Sequence, residues 1–168
     1  MFNGAQIHLA LNHLPVEGTL FGAIVLIFGL ILKKDAVRRT GLGLLVLSAL
    51  VAIPALRSGE PAEDVAKQLQ GVTRDLIHEH EEAAEAAFIV TLIAGIEAAG
   101  TLSLRKLKKE RFEGKASVAT AAASLVAFAL MARAAHLGGL VRHSELREGG
   151  SAAGEQAPAR TPEPAEHH

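Results

Sequence analysis

Histidine is the residue type in this chain best suited to chemistry, and six of the eight histidines gather at one end of its apolar segments. His8 and His13 precede the first apolar run, residues 14–32. His78 and His80 precede the third, residues 83–104, and His136 and His143 close the fourth, residues 116–140. Four crossings of a membrane would bring those three places to the same side. Imidazole is the commonest protein ligand for transition metals and also an axial ligand of haem iron. A one-sided cluster therefore predicts a metal or haem site near one membrane face.

Neighbouring residues refine that expectation. Glu17 lies one helical turn after His13 and shares its face. A carboxylate in an apolar span costs about 3 kcal/mol at mid-membrane, so Glu17 is expected to face the bundle interior beside a partner. Arg133, His136, Gly139 and His143 recur every three or four residues, which places them on one helix face. His136 and His143 differ in height by roughly 10 Å, too far to share one ion unless Gly138 and Gly139 break the helix. His78, Glu82 and Glu85 share a face at the start of the third run.

Two cofactor chemistries suit this set. A b-type haem would take His13 and His136 as axial ligands, Arg133 or Arg142 for its propionates, and the space beside Gly139 for a flat ring. A non-haem zinc, iron, manganese or copper ion would draw on His8, His13, His78, His80, His136, His143, Glu17, Glu82 and Glu85. A third reading needs no cofactor: the polar end is a hydrogen-bond network, and the protein is an accessory subunit docking on a larger membrane complex. Blander roles stand beside these. The acids from Glu79 to Glu85 suit the dipole of a helix start. Glu17 and Arg133 could be a buried structural pair, and Glu97 could pair with Arg105 or reach the interface.

The elements that must position these residues follow from composition. The chain has 168 residues, 49% of them hydrophobic, with a formal net charge of -1, which excludes the basic footprint of a nucleic-acid binder. It has no cysteine, so disulfides, thiolate metal sites and covalent haem attachment are excluded. Trp and Tyr are absent too, so the usual interfacial aromatic belt is missing. A spanning helix needs about 20 mostly apolar residues. Residues 14–32, 83–104 and 116–140 meet that length, and 41–56 reaches it by extending through Arg57. The first run has neither the basic start nor the cleavage site of a secretory signal.

Orientation follows from Lys and Arg in the short loops. Lys33, Lys34, Arg38 and Arg39 fill the first loop; Arg105, Lys106, Lys108, Lys109, Arg111 and Lys115 fill the third. Both loops are expected on the cytoplasmic side of a bacterial inner membrane, with the termini and the histidines on the periplasmic side. In the outer loop, Val65, Leu69, Val72 and Leu76 repeat at helical spacing behind Pro61, Glu63 and Asp64, which predicts a short amphipathic helix lying over the bundle. Residues 149–168, rich in Gly, Ala, Pro and Glu, read as a disordered periplasmic tail after a membrane domain of residues 1–148. His167 and His168 end that tail and carry no weight. The expected fold is all-α, an integral membrane four-helix bundle in contact with the lipid bilayer.

The segment His8-Leu-Ala-Leu-Asn-His13-Leu-Pro15 resembles the HPxxxHFP opening of a bacterial four-span membrane family, the domain of unknown function numbered 2231. Gly59, a histidine opening the third span, and Gly138-Gly139 also match, so the resemblance runs from about residue 7 to residue 147. Leu9 and Leu14 replace a Pro and the Phe of that signature. The resemblance implies respiratory electron transfer, since relatives are fused to cytochrome or Rieske-type modules, and the architecture is similar to that of small membrane b-type cytochromes. No nucleophile–base pair or phosphate loop is present. An open metal site could host enzymatic chemistry, and the sequence names no substrate for it.

Overall fold

The computed structural model describes residues 4–68 and 71–143, and every regular element among them is helical. In chain order these are α1 (Gly4–Leu11), α2 (His13–Ile31), α3 (Asp35–Arg57), α4 (Gly59–Ala66), α5 (Arg74–Ser103), a 3₁₀ turn (Glu110–Phe112) and α6 (Glu113–Arg142). The helix beginning near Gln6, together with α3, α5 and α6, is long and apolar enough to cross a membrane. The expected tail and the boundary at residue 148 lie outside the described residues, as does Leu69.

Helices α2, α3, α5 and α6 form an antiparallel ring. Each packs on two neighbours, in the order α2, α3, α5, α6 and back to α2. The reason is visible in side-chain size. Beside the buried Leu26, Leu42 and Leu45, the inward stripes are small: Thr19, Gly22 and Ala23 on α2, Ser48, Ala49 and Ala52 on α3, Ala87, Thr91, Ala94 and Ala98 on α5, Ser117, Thr120, Ser124 and Ala127 on α6. The bulky groups Phe21, Phe28, Leu47, Leu50, Ile89, Ile93, Ile96 and Leu125 are exposed. That is the inverse of a water-soluble bundle. Where lipid covers the outside there is no hydrophobic gain from burying Leu rather than Ala, and close backbone approach by small residues holds the helices together. Three buried hydroxyls of α6 satisfy themselves on the helix, whereas Thr91 Oγ1 on α5 is buried without a hydrogen-bond partner. Ser117 Oγ donates to the Glu113 carbonyl at 2.7 Å, Thr120 Oγ1 to Ala116 at 3.0 Å and Ser124 Oγ to Ala121 at 2.8 Å. Between α2 and α3, Ser48 Oγ donates to the Pro15 carbonyl at 2.8 Å and lies 2.8 Å from Thr19 Oγ1.

The two loops at the basic end turn on a lysine in the left-handed region. Lys33 has φ 53° and Lys108 has φ 56°. In the first, Lys33 N–H donates to the Leu30 carbonyl and Lys34 N–H to Gly29, the paired bonds of a Schellman ending; Lys108 and Lys109 repeat the pattern on Arg105 and Leu104. Near those turns Glu113 is buried and ion-paired with Arg38 at 3.2 Å and Arg39 at 3.1 Å. Arg105 pairs with Asp35 at 2.7 Å and reaches Glu110 at 3.8 Å. Of the two roles expected for Glu97, the pair with Arg105 does not form: Arg105 takes acids nearer the helix ends, and Glu97 is exposed.

At the other end α1 continues α2 with a break at Asn12. Pro15 has no N–H for the Leu11 carbonyl, and its ring crowds that carbonyl, so the helix yields one turn earlier. Asn12 precedes α2 and makes no side-chain cap bond. Beyond the break, α1 packs on α4 and on the end of α3. The outer loop holds the short helix α4, which stops at Ala66, and Thr73 then starts α5, its Oγ1 accepting from Leu76 N–H at 3.3 Å. Of the expected apolar stripe, Val65 is exposed on α4 and Leu76 belongs to α5, so no single amphipathic helix carries the whole repeat.

Candidate functional site at the histidine end

Two imidazoles turn inward, from separate helices. On α1, His8 Nδ1 lies 3.2 Å from the Ala55 carbonyl and 3.2 Å from Ser58 Oγ, both on the end of α3. On α5, His80 Nδ1 lies 3.0 Å from the Ala134 carbonyl of α6. A carbonyl can only accept, so in the neutral ring His80 Nδ1 carries the proton and its Nε2 keeps its lone pair. His8 takes the same tautomer when its Nδ1 donates to the Ala55 carbonyl, to which Ser58 Oγ also donates at 2.8 Å. A histidine anchored through one nitrogen to a carbonyl is oriented to ligate through the other. Beneath the two rings lies an apolar floor of Ala52, Ala83, Ala87, Met131 and Ala134.

Small residues make room for both rings. A Cβ on Gly138 would sit 3.0 Å from His80 Cε1, and one on Gly59 would sit 3.9 Å from His8 Cε1. Asn12, one turn after His8, has a buried Oδ1 with no hydrogen-bond partner. Buried acceptors are ordinarily satisfied, so an orphan one turn from an inward imidazole marks a place where a donor or a metal could be received.

The remaining expected site residues lie elsewhere. His13 and His136, the pair named from sequence, are exposed, as are Glu17, Arg133 and Arg142. Glu17 and Arg133 form no ion pair among the described residues, which corrects the expected buried pair. His78 and Glu82 are exposed and meet each other at 3.3 Å across one turn, and Glu85 is exposed further along the helix. His143 is exposed at the end of α6, and a Cβ on Gly139 would touch nothing within 4 Å. Among the described residues no three His, Asp or Glu side chains converge on a point where they could hold an ion.

A cleft of about 590 Å³ opens between α4 and the start of α5, lined by Glu63, Lys67, Val72, Arg74, Ile77, His78 and Glu81. Lys67 Nζ reaches Glu63 at 2.7 Å, and that hydrogen bond holds the Glu63 carboxyl below the ordinary carboxylate range. The cleft mixes both signs of charge on a solvated rim.

Sequence reasoning missed His80 as the inward member of its group and Asn12 as a buried acceptor. A signal for His80 was present: Ile77, His80, Ala83, Ala87, Thr91, Ala94 and Ala98 recur every three or four residues. That small-residue stripe faces inward and carries His80 with it, while His78 and Glu82 fall off it. No known family, no curated protein and no solved structure matches this chain.

Proposed function

We propose that this protein is an integral membrane electron-transfer component that holds a redox-active metal, in the first instance haem b, between His8 and His80 at the periplasmic end of its bundle. The observation that carries the reading is the matched pair of inward imidazoles on α1 and α5, each tied through Nδ1 to a main-chain carbonyl. Two imidazole donors from different helices are the number that a b-type haem iron would take from the protein. A non-haem ion ordinarily asks for three or four protein donors, and no third His, Asp or Glu converges here among the described residues. When bound, a haem supplies one-electron chemistry. The chain's own part is to present Nε2 from two helices, and to keep water from below with the Ala52, Ala83, Ala87, Met131 and Ala134 floor. The likeness of the opening segment to the four-span family agrees with this role, and the basic loops at the far end support a periplasmic location for the pair.

A second reading is favoured by the same hydrogen bonds: His8 and His80 act as structural clasps, tying α1 to α3 and α5 to α6. One experiment separates the two. The protein is purified from membranes of a haem-replete bacterial host and its absorption spectrum is recorded. Electron transfer through haem requires a Soret band that is lost in His8→Ala and His80→Ala and retained in His13→Ala and His136→Ala. A colourless wild-type protein would overturn the haem reading and leave the clasp.

A further inference from the structure

The outward face of α5 and α6 carries opposite charges within the apolar part of the bundle. Glu85 on α5 and Arg133 on α6 are both exposed, and neither forms an ion pair among the described residues. The packing of the two helices sets their depth. Ala83 and Ala87 share a cluster with Met131 and Ala134, and Thr101 Oγ1 lies 3.4 Å from Thr120 Oγ1 near the other end. In that antiparallel register Glu85 is level with Arg133, Ile89 with Ala129, and Ile96 with Ala122. Ile89 is 50% and Ile96 70% exposed, and Ala122, Ala129 and Ala132 are exposed as well. At those three levels α5 presents an acid and two isoleucines where α6 presents a base and two alanines, while the exposed Ile93 is level with the exposed Leu125.

We propose that this face binds a second copy of the chain through a two-fold axis along the membrane normal, α5 of each protomer lying against α6 of the other. Such an axis preserves depth, so every residue meets groups at its own level. Glu85 then meets Arg133 of the second copy twice over, and Ile89 and Ile96 enter the spaces beside Ala129 and Ala122, with Ile93 and Leu125 in apolar contact between them. Both features favour a second copy over lipid. A lipid-facing charge is costly in an apolar span, and small residues lead helix interfaces there because they allow close approach.

The test uses the full chain in phosphatidylethanolamine–phosphatidylglycerol vesicles. It exploits the absence of native cysteine. Two single-cysteine proteins, Ala86→Cys and Ala132→Cys, are co-reconstituted and oxidised. Their residues are level across the proposed interface, so a disulfide-linked dimer is expected from the mixture. None is expected when Ala132→Cys is paired with Phe21→Cys on the far side of the ring. Single-molecule photobleaching then counts subunits. Glu85→Arg alone and Arg133→Glu alone are expected to lower the dimer fraction, each weakening association by about ten-fold or more, and the double swap to restore it. Wild-type protein that bleaches in single steps, or cross-linking of equal yield through Phe21→Cys, overturns the proposal. Because the intact wild-type protein is counted directly, misfolding of a variant does not protect it.

Discussion

His80 and Gly138 occupy one small volume from opposite sides, and the volume permits no side chain on α6. A Cβ at Gly138 would meet His80 Cε1 at 3.0 Å and Nδ1 at 3.3 Å, while the ring is held by its bond to the Ala134 carbonyl. Alanine there gains up to about 1 kcal/mol of helix preference, which offsets a marginal clash. Valine adds two methyls, and overpacking of about 1–3 kcal/mol then prevails. Gly138→Val is expected to lower the thermal midpoint in detergent and to release the imidazole, whereas Gly139→Ala, whose Cβ meets nothing, leaves stability equal or higher. Thermal melts of the two variants side by side check this; equal destabilisation would remove the special place given to Gly138. The sequence showed that a glycine pair closed the fourth run. It did not show which member of the pair faced a histidine, because one residue's shift along a helix turns the side chain by about 100°.

Helices in this ring are held by where side chains are missing. A Cβ on Gly41 would fall against the backbone of Leu26, one on Gly29 against the backbone of Arg38, and one on Gly95 against Ala49. A backbone cannot step aside as a flexible side chain can. Gly41→Ala and Gly95→Ala are each expected to cost about 1–3 kcal/mol, against near neutrality for Gly43→Ala, where the added carbon meets nothing. Reversible unfolding in mixed micelles measures the difference, and a Gly43 variant as unstable as the Gly41 variant would refute it. The existence of four apolar helices was legible from run length and hydropathy. The ends were not. Schellman turns on Lys33 and Lys108 carry no glycine to announce them, and the break at Asn12 follows from Pro15 three residues later.

Charge divides the whole molecule into two ends. One holds the loops with Lys33, Lys34 and the run from Arg105 to Lys115, knitted by Arg38, Arg39 and Glu113; the other holds α1, α4 and the inward histidines. Helices α5 and α6 have 30 residues each. At about 1.5 Å per residue they outrun a hydrocarbon layer of roughly 30 Å, so their ends stand in the interfaces. The basic loops are expected in the cytoplasm. A single cysteine replacing Glu60 should react with an impermeant maleimide in intact cells, and one replacing Lys108 only after permeabilisation. The opposite result would invert the topology and move the histidines to the cytoplasm.

The amino-acid order by itself determined the number of long helices, their apolar character and the segregation of histidine from lysine and arginine. These depend on composition summed over many residues, so no single contact has to be known. The direction in which each imidazole points was decided only by tertiary structure. His8 faces inward because α1 bends at Asn12 onto α3 and α4, and His80 because its stripe meets α6 beside Gly138. Orientation on a helix depends on which neighbour packs against which face, and that neighbour lies 47 residues away for His8 and 54 for His80.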